Sequence, residues 1–293
     1  MAELHLAGGP LDGLVLHYIL VLHYIKEGRG PTVVLVHGLG GFAASWGPTI
    51  EALAGQATLL APDLPGFGRS GKPRTRYGLE FFTAALDGFL ESLGVRPMAV
   101  VGHSLGASVA LAWALRRPGG VDRLALLSAL VPGFTYRLSP TFRLLTLPGV
   151  GEGLALLGSA PLYRAALTRC FYQPRPRDIA FLIEHDFAIR TAWGARAAYL
   201  ATLRGMREDF VVRGSEYRRA LTGLDLPVLL LHGRQDPVVP AGHCHEVGRG
   251  LPHAETRWLD ACGHFPQLEQ ARTVHEWLAE FLAARPAPRQ GAS

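Results

Sequence analysis

Along this chain, short continuous runs of apolar and β-branched residues alternate with longer stretches in which apolar residues recur every three or four positions. Thr32-Val33-Val34-Leu35-Val36, Ala57 to Ala61, Met98 to Gly102, Leu124 to Leu127, Pro227 to His232 and Thr256 to Leu259 are of the first kind. Their shortness, their β-branched content and the Gly, Pro and Asp around them predict strands buried on both faces. Leu79 to Leu93, Leu105 to Leu115 and Val274 to Leu282 carry the helical spacing. Strands and helices in alternation predict an α/β domain, a parallel sheet with helices on both faces.

The alternation stops between Val131 and about Gly223. This stretch is rich in Pro, Gly, Arg and aromatic residues, with helical patterns at Gly153 to Leu157 and Ile179 to Tyr199 and no convincing strand. It predicts a helical insertion, or lid. The resulting organisation is a core at 1–130, a lid at 131–224 and the rest of the core at 225–293. The tail from Arg285 has little to bury and is expected to fray. Near the start, Leu-Val-Leu-His-Tyr-Ile occurs at 14–19 and again at 20–25. An even period keeps the two faces of a strand in place, so a tolerated duplication in an N-terminal hairpin is expected. His17 and His23 would lie about 20 Å apart on one strand, too far to share a metal ion.

Composition narrows the function. With 48% hydrophobic and 18% charged residues, the chain can bury a large core, which excludes a disordered or fibrous protein. The net charge of +5 comes from 27 Arg and 2 Lys against 24 acids, scattered with no recognition module, so no nucleic-acid partner is expected. Three cysteines form neither a disulfide framework nor a zinc pattern, and no metal site is expected. No apolar stretch approaches the roughly 18 residues of a membrane span, and no leader is evident. A cytoplasmic protein is the expectation.

The chemistry concentrates after the strands. Gly102-His103-Ser104-Leu105-Gly106 follows a strand and opens a helix. That is the setting in which a tight turn projects a serine hydroxyl as a nucleophile. A serine needs a base, and the base an orienting acid. Asp236, in Gly233-Arg234-Gln235-Asp236-Pro237, and His264, in Gly263-His264-Phe265, each follow a later strand. Ser104, Asp236 and His264 are therefore the expected nucleophile, acid and base. The amides of Leu105 and of Leu39, in His37-Gly38-Leu39-Gly40-Gly41, are the expected oxyanion donors. Cys262 is expected to be a small buried residue, Asp63 to brace its loop, and His37 to bond neighbouring backbone.

These pieces, with Asp63-Leu64-Pro65-Gly66-Phe67-Gly68-Arg69-Ser70, resemble the α/β-hydrolase fold superfamily over residues 32 to 266. The resemblance implies an eight-stranded, mostly parallel sheet with a helical lid after the sixth strand, and a Ser-His-Asp enzyme that needs no cofactor. Within the superfamily, Gly-His-Ser-Leu-Gly with a Gly-rich oxyanion loop is most similar to carboxylesterases and monoacylglycerol-lipase-like enzymes. That implies a small-molecule ester substrate with a short-to-medium acyl group. The alternative is a carbon–carbon bond hydrolase of the meta-cleavage type, in which Arg190 or a lid neighbour would hold a substrate carboxylate. Those enzymes typically carry Asn before the nucleophile and Trp after the base, where this chain has His103 and Phe265. A non-catalytic binding protein on the same fold would have no use for all three residues and both oxyanion loops.

Overall fold

The computed structural model describes residues 2–7, 19–135, 139–191, 193–251 and 253–284. The strands are β1 (Ala2–Ala7), β2 (Ile19–Gly28), β3 (Thr32–Val36), β4 (Thr58–Pro62), β5 (Ala99–His103), β6 (Arg123–Leu127), β7 (Val228–Gly233) and β8 (Ala254–Leu259). They form one eight-stranded sheet in the order β1-β2-β4-β3-β5-β6-β7-β8. Only β2 runs against its neighbours; every pair from β4 to β8 is parallel.

The continuous apolar runs are the consequence of burial on both faces. Val34, Val36, Leu60, Val100, Leu124, Leu126, Val228 and Leu230 point into one core cluster. Their neighbours Val33, Leu35, Leu59, Val101, Ala125, Leu127, Leu229 and Leu231 point into the other. Helix α1 (Gly47–Leu53) fills the second face. Helices α2 (Leu79–Leu93) and α3 (Leu105–Arg116) fill the first.

Between β6 and β7 the described residues make six α-helices and one π-helical turn (Glu208–Val212), and no strand. The α-helices are α4 (Pro140–Leu145), α5 (Val150–Leu156), α6 (Ala160–Thr168), α7 (Pro176–Thr191), α8 (Trp193–Arg207) and α9 (Gly214–Leu221). Helix α10 (Ala241–Gly250) then joins the face of α2 and α3, while α11 (Pro266–Glu269) leads into α12 (Ala271–Ala283), opposite. The single helical pattern expected over 179–199 is two helices, α7 and α8, packed on one another. The insertion is tied to the core at the start of α2. There buried Asp209 accepts the Leu79 N–H at 2.7 Å, so a residue 130 positions away supplies the cap that Gly78 cannot.

The N-terminal hairpin pairs Ala7 with Ile19. The second copy of the repeated hexapeptide lies within β2, with Leu20, Leu22 and Tyr24 in the core. All but the last residue of the first copy, His17 included, lies outside the described residues, as does the tail from 285.

Candidate active site

The order of the strands decides where chemistry can gather. The chain runs from β3 to β4 on one side and then to β5 on the other, so the loops leaving β3 and β5 diverge. At such a switch point a crevice opens beyond the carboxyl ends of the strands. The 37–41 loop leaves β3 there and Ser104 leaves β5. Asp236 and His264 follow β7 and β8 at the same edge.

Ser104 sits between β5 and α3 with φ 53° and ψ −116°, a conformation L-residues rarely adopt. Its neighbours impose that turn. A Cβ on Gly106 would lie 2.1 Å from the Val36 carbonyl oxygen, and one on Gly102 would lie 2.4 Å from the Gly106 carbonyl oxygen. Glycine at both positions lets α3 start against β3, and the serine is left to take the strained angles.

Three distant side chains meet at this turn. Ser104 Oγ lies 3.1 Å from His264 Nε2, and His264 Nδ1 lies 2.9 Å from Asp236 Oδ2. The other carboxylate oxygen of Asp236 accepts the amides of Val238 at 2.8 Å and Val239 at 2.9 Å. All three residues are buried. Burial alone would raise the Asp236 carboxyl. The charge and hydrogen bond of His264, with help from His232 and the Val239 amide, instead hold it at about 2. An ionised acceptor at Nδ1 fixes the proton there and leaves the Nε2 lone pair facing the serine.

The surrounding histidines are braces. His103 donates from Nε2 to the His264 carbonyl at 2.7 Å, and its ring lies 4.9 Å from that of His264. Burial and the nearby His264 drive its pKa down to about 3, so it stays neutral. His37 donates from Nδ1 to the Gly38 carbonyl at 2.8 Å and accepts the Leu64 amide at Nε2, 2.9 Å away. Accepting at Nε2 requires the neutral ring, and burial lowers its pKa accordingly. His37 thereby joins the loop after β3 to the loop after β4. Asp63 accepts the amides of Ala43 at 2.5 Å and Arg69 at 2.9 Å, and pairs with His23 Nδ1 at 2.9 Å. Burial works against its charge, but the His23 hydrogen bond and these amides hold the carboxyl below its usual range. His23 is thus engaged by a carboxylate, a pairing the hexapeptide repeat gave no means of anticipating.

The loop carrying Leu39 runs directly beside the serine. A Cβ on Gly38 would stand 3.1 Å from Ser104 Cβ. Leu105 is the first residue of α3, where an amide has no partner within the helix. Cys262 is fully buried, and burial pushes its thiol up, away from reactivity. Phe42 from the loop after β3 and Leu268 from α11 share a small apolar cluster with Leu167, Phe171, Ile179 and Leu182 of the insertion, and Phe265, the neighbour of His264, packs against it. Arg190 lies in α7, but its side chain is outside the described residues.

Residues 31–168 match the alpha/beta hydrolase fold family. A pimeloyl-[acyl-carrier protein] methyl ester esterase from Xanthomonas campestris is 31% identical over 282 residues, covering 90% of this chain and all of that protein. The chain belongs to the alpha/beta hydrolase fold family. Another member, a 2-hydroxy-6-oxo-2,4-heptadienoate hydrolase from Pseudomonas putida, is 29% identical over 88% of this chain and 91% of its own. Among solved members, a 2-hydroxy-6-oxo-6-phenylhexa-2,4-dienoate hydrolase from a Rhodococcus species superposes with a TM-score of 0.80 at 27% identity. That match covers 97% of this chain and 99% of the other.

Proposed function

We propose that the chain is a serine hydrolase that cleaves carboxylic esters with apolar, short-to-medium acyl groups. The observation that carries this reading is the continuous line of hydrogen bonds from Asp236 through His264 to Ser104 at a strained strand-to-helix turn. Ser104 Oγ attacks the ester carbonyl as His264 Nε2 takes its proton, and Asp236 stabilises the imidazolium that results. The carbonyl oxygen, now carrying the negative charge, is held by the Leu39 amide in the loop after β3 and the Leu105 amide at the start of α3. Collapse of this intermediate breaks the bond to the alkoxy oxygen, which leaves as alcohol with the proton from His264. Water then repeats the sequence on the acyl-serine, releasing the acid and restoring the serine.

The segment 131–224 acts in this reading as a lid. Its apolar face toward Phe42, Phe265 and Leu268 supports an apolar acyl or alcohol pocket. The esterase from Xanthomonas campestris, matched over its whole length, supports the ester class. The Pseudomonas and Rhodococcus relatives support a second reading, hydrolysis of a carbon–carbon bond in a dienoate by the same three residues. His103 and Phe265, standing where that group typically has Asn and Trp, weigh against it.

One assay separates the two. With p-nitrophenyl esters of two to sixteen carbons and a dienoate ring-fission product side by side, the ester reading expects a turnover optimum at or below about twelve carbons. Turnover of the dienoate alone would replace the ester reading with the carbon–carbon one, and a rate rising steadily past twelve carbons would overturn the acyl-length preference.

A further inference from the structure

The loop that carries His264 is held from outside the three-residue line. Glu269, the last residue of α11, directs one carboxylate at three backbone amides. Oε1 accepts from Gly263 and Phe265, each at 3.1 Å, and Oε2 accepts from Gly263 at 3.1 Å and Tyr172 at 2.8 Å. Gly263 and Phe265 are the residues on either side of His264, and Tyr172 belongs to the insertion, between α6 and α7. The amide of His264 itself donates to the Cys170 carbonyl at 2.8 Å. All three consecutive amides of the base loop are therefore bound, two by Glu269 and one by the insertion.

The two segments approach too closely for this to be loose contact. A Cβ on Gly263 would stand 2.6 Å from the Tyr172 nitrogen and 2.7 Å from the Cys170 carbonyl oxygen. The Phe171 ring stacks on Phe265 at 4.7 Å and 18°. Arg175 donates to the Leu268 carbonyl while its Nε holds Asp178 at 2.6 Å. Every donor that meets Glu269 is an N–H, so an ionised carboxylate, which accepts on both oxygens, fits where an amide would turn a donor toward a donor.

We propose that Glu269 is a positioning residue, fixing the His264 loop against the 170–172 segment so that the base is aligned only while that segment is docked. This rests on the serine-hydrolase reading above. The alignment of a base governs the chemical step far more than it governs binding. Movement of the insertion that freed Tyr172 would also release the base.

The test compares wild type, Glu269→Gln, Glu269→Asp and Ser104→Ala. It uses ester kinetics, thermal unfolding and the downfield proton resonance of the His264 Nδ1–H, assigned by its absence in His264→Gln. For folded Glu269→Gln, kcat is expected to fall at least tenfold with KM within about threefold, and the resonance to shift or broaden. An unmoved resonance with kcat within twofold of wild type overturns the proposal. So does a loss of kcat no greater than the loss of folded protein. If Glu269→Gln does not fold, Glu269→Asp, a methylene shorter but still charged, takes its place with the same two outcomes. A fully active Ser104→Ala would instead overturn the ester reading, and the resonance would still decide the role of Glu269.

Discussion

Ser104→Ala is expected to lower ester turnover by about 10⁴- to 10⁶-fold while the protein remains folded. The substitution removes one atom, the Oγ whose only described hydrogen bond is to His264 Nε2. It retains the Cβ, so the left-handed turn at φ 53° costs the variant what it costs the wild type, of order 1–3 kcal/mol. That strain is imposed by Gly102 and Gly106 and the backbone packed against them, and the variant inherits the same frame. The thermal midpoint is therefore expected to stay within a few degrees of wild type. Parallel kinetics and unfolding curves check both halves, and substantial activity in a well-folded variant would remove Ser104 from the mechanism.

Asp236→Asn is expected to cost about 10⁴-fold in kcat, through the tautomer of the base. With the amide oxygen kept by the Val238 and Val239 N–H groups, the amide nitrogen turns its protons toward His264 Nδ1. The imidazole then carries its proton on Nε2, where it cannot accept the serine proton. The same substitution alters the acid limb of stability. The folded-state pKa of Asp236, about 2, lies below the ordinary value of 3.8. Its contribution is therefore complete above roughly pH 4 and lost as pH falls toward 2. Denaturant unfolding from pH 7 to pH 2 should show that segment of the decline weakened in Asp236→Asn. An unchanged acid limb would mean that the carboxylate is not stabilised by its partners.

The parts of the fold that were legible in the sequence are those with a local cause. A strand buried on both faces must be apolar at every position, so β3, β5 and β7 could be placed to within a residue of their ends. The turn at Ser104 was legible because its glycines lie two residues to either side. The count of eight strands came from the family resemblance, the strand order from the structure alone, and β1, with one short alternating stretch, carries little signal of its own. Interactions spanning long stretches of chain were invisible. Asp209 capping α2, His23 pairing with Asp63 and Tyr172 meeting Glu269 each join elements whose sequences say nothing of one another. The helices of the insertion were only partly placed. Leu144, Leu147, Val150, Leu154, Leu156 and Leu157 are exposed, so their spacing does not mark a buried face.

The central claim is that Ser104 is the nucleophile, and peptide mass mapping after treatment with a fluorophosphonate tests it most directly. Such a reagent forms a stable bond only to a serine activated by a neighbouring base. The expected result is one phosphonyl group per chain, located on Ser104, with ester turnover lost in step with its incorporation and no adduct in Ser104→Ala. An adduct on another residue that abolishes turnover, or full turnover with Ser104 phosphonylated, would contradict the account.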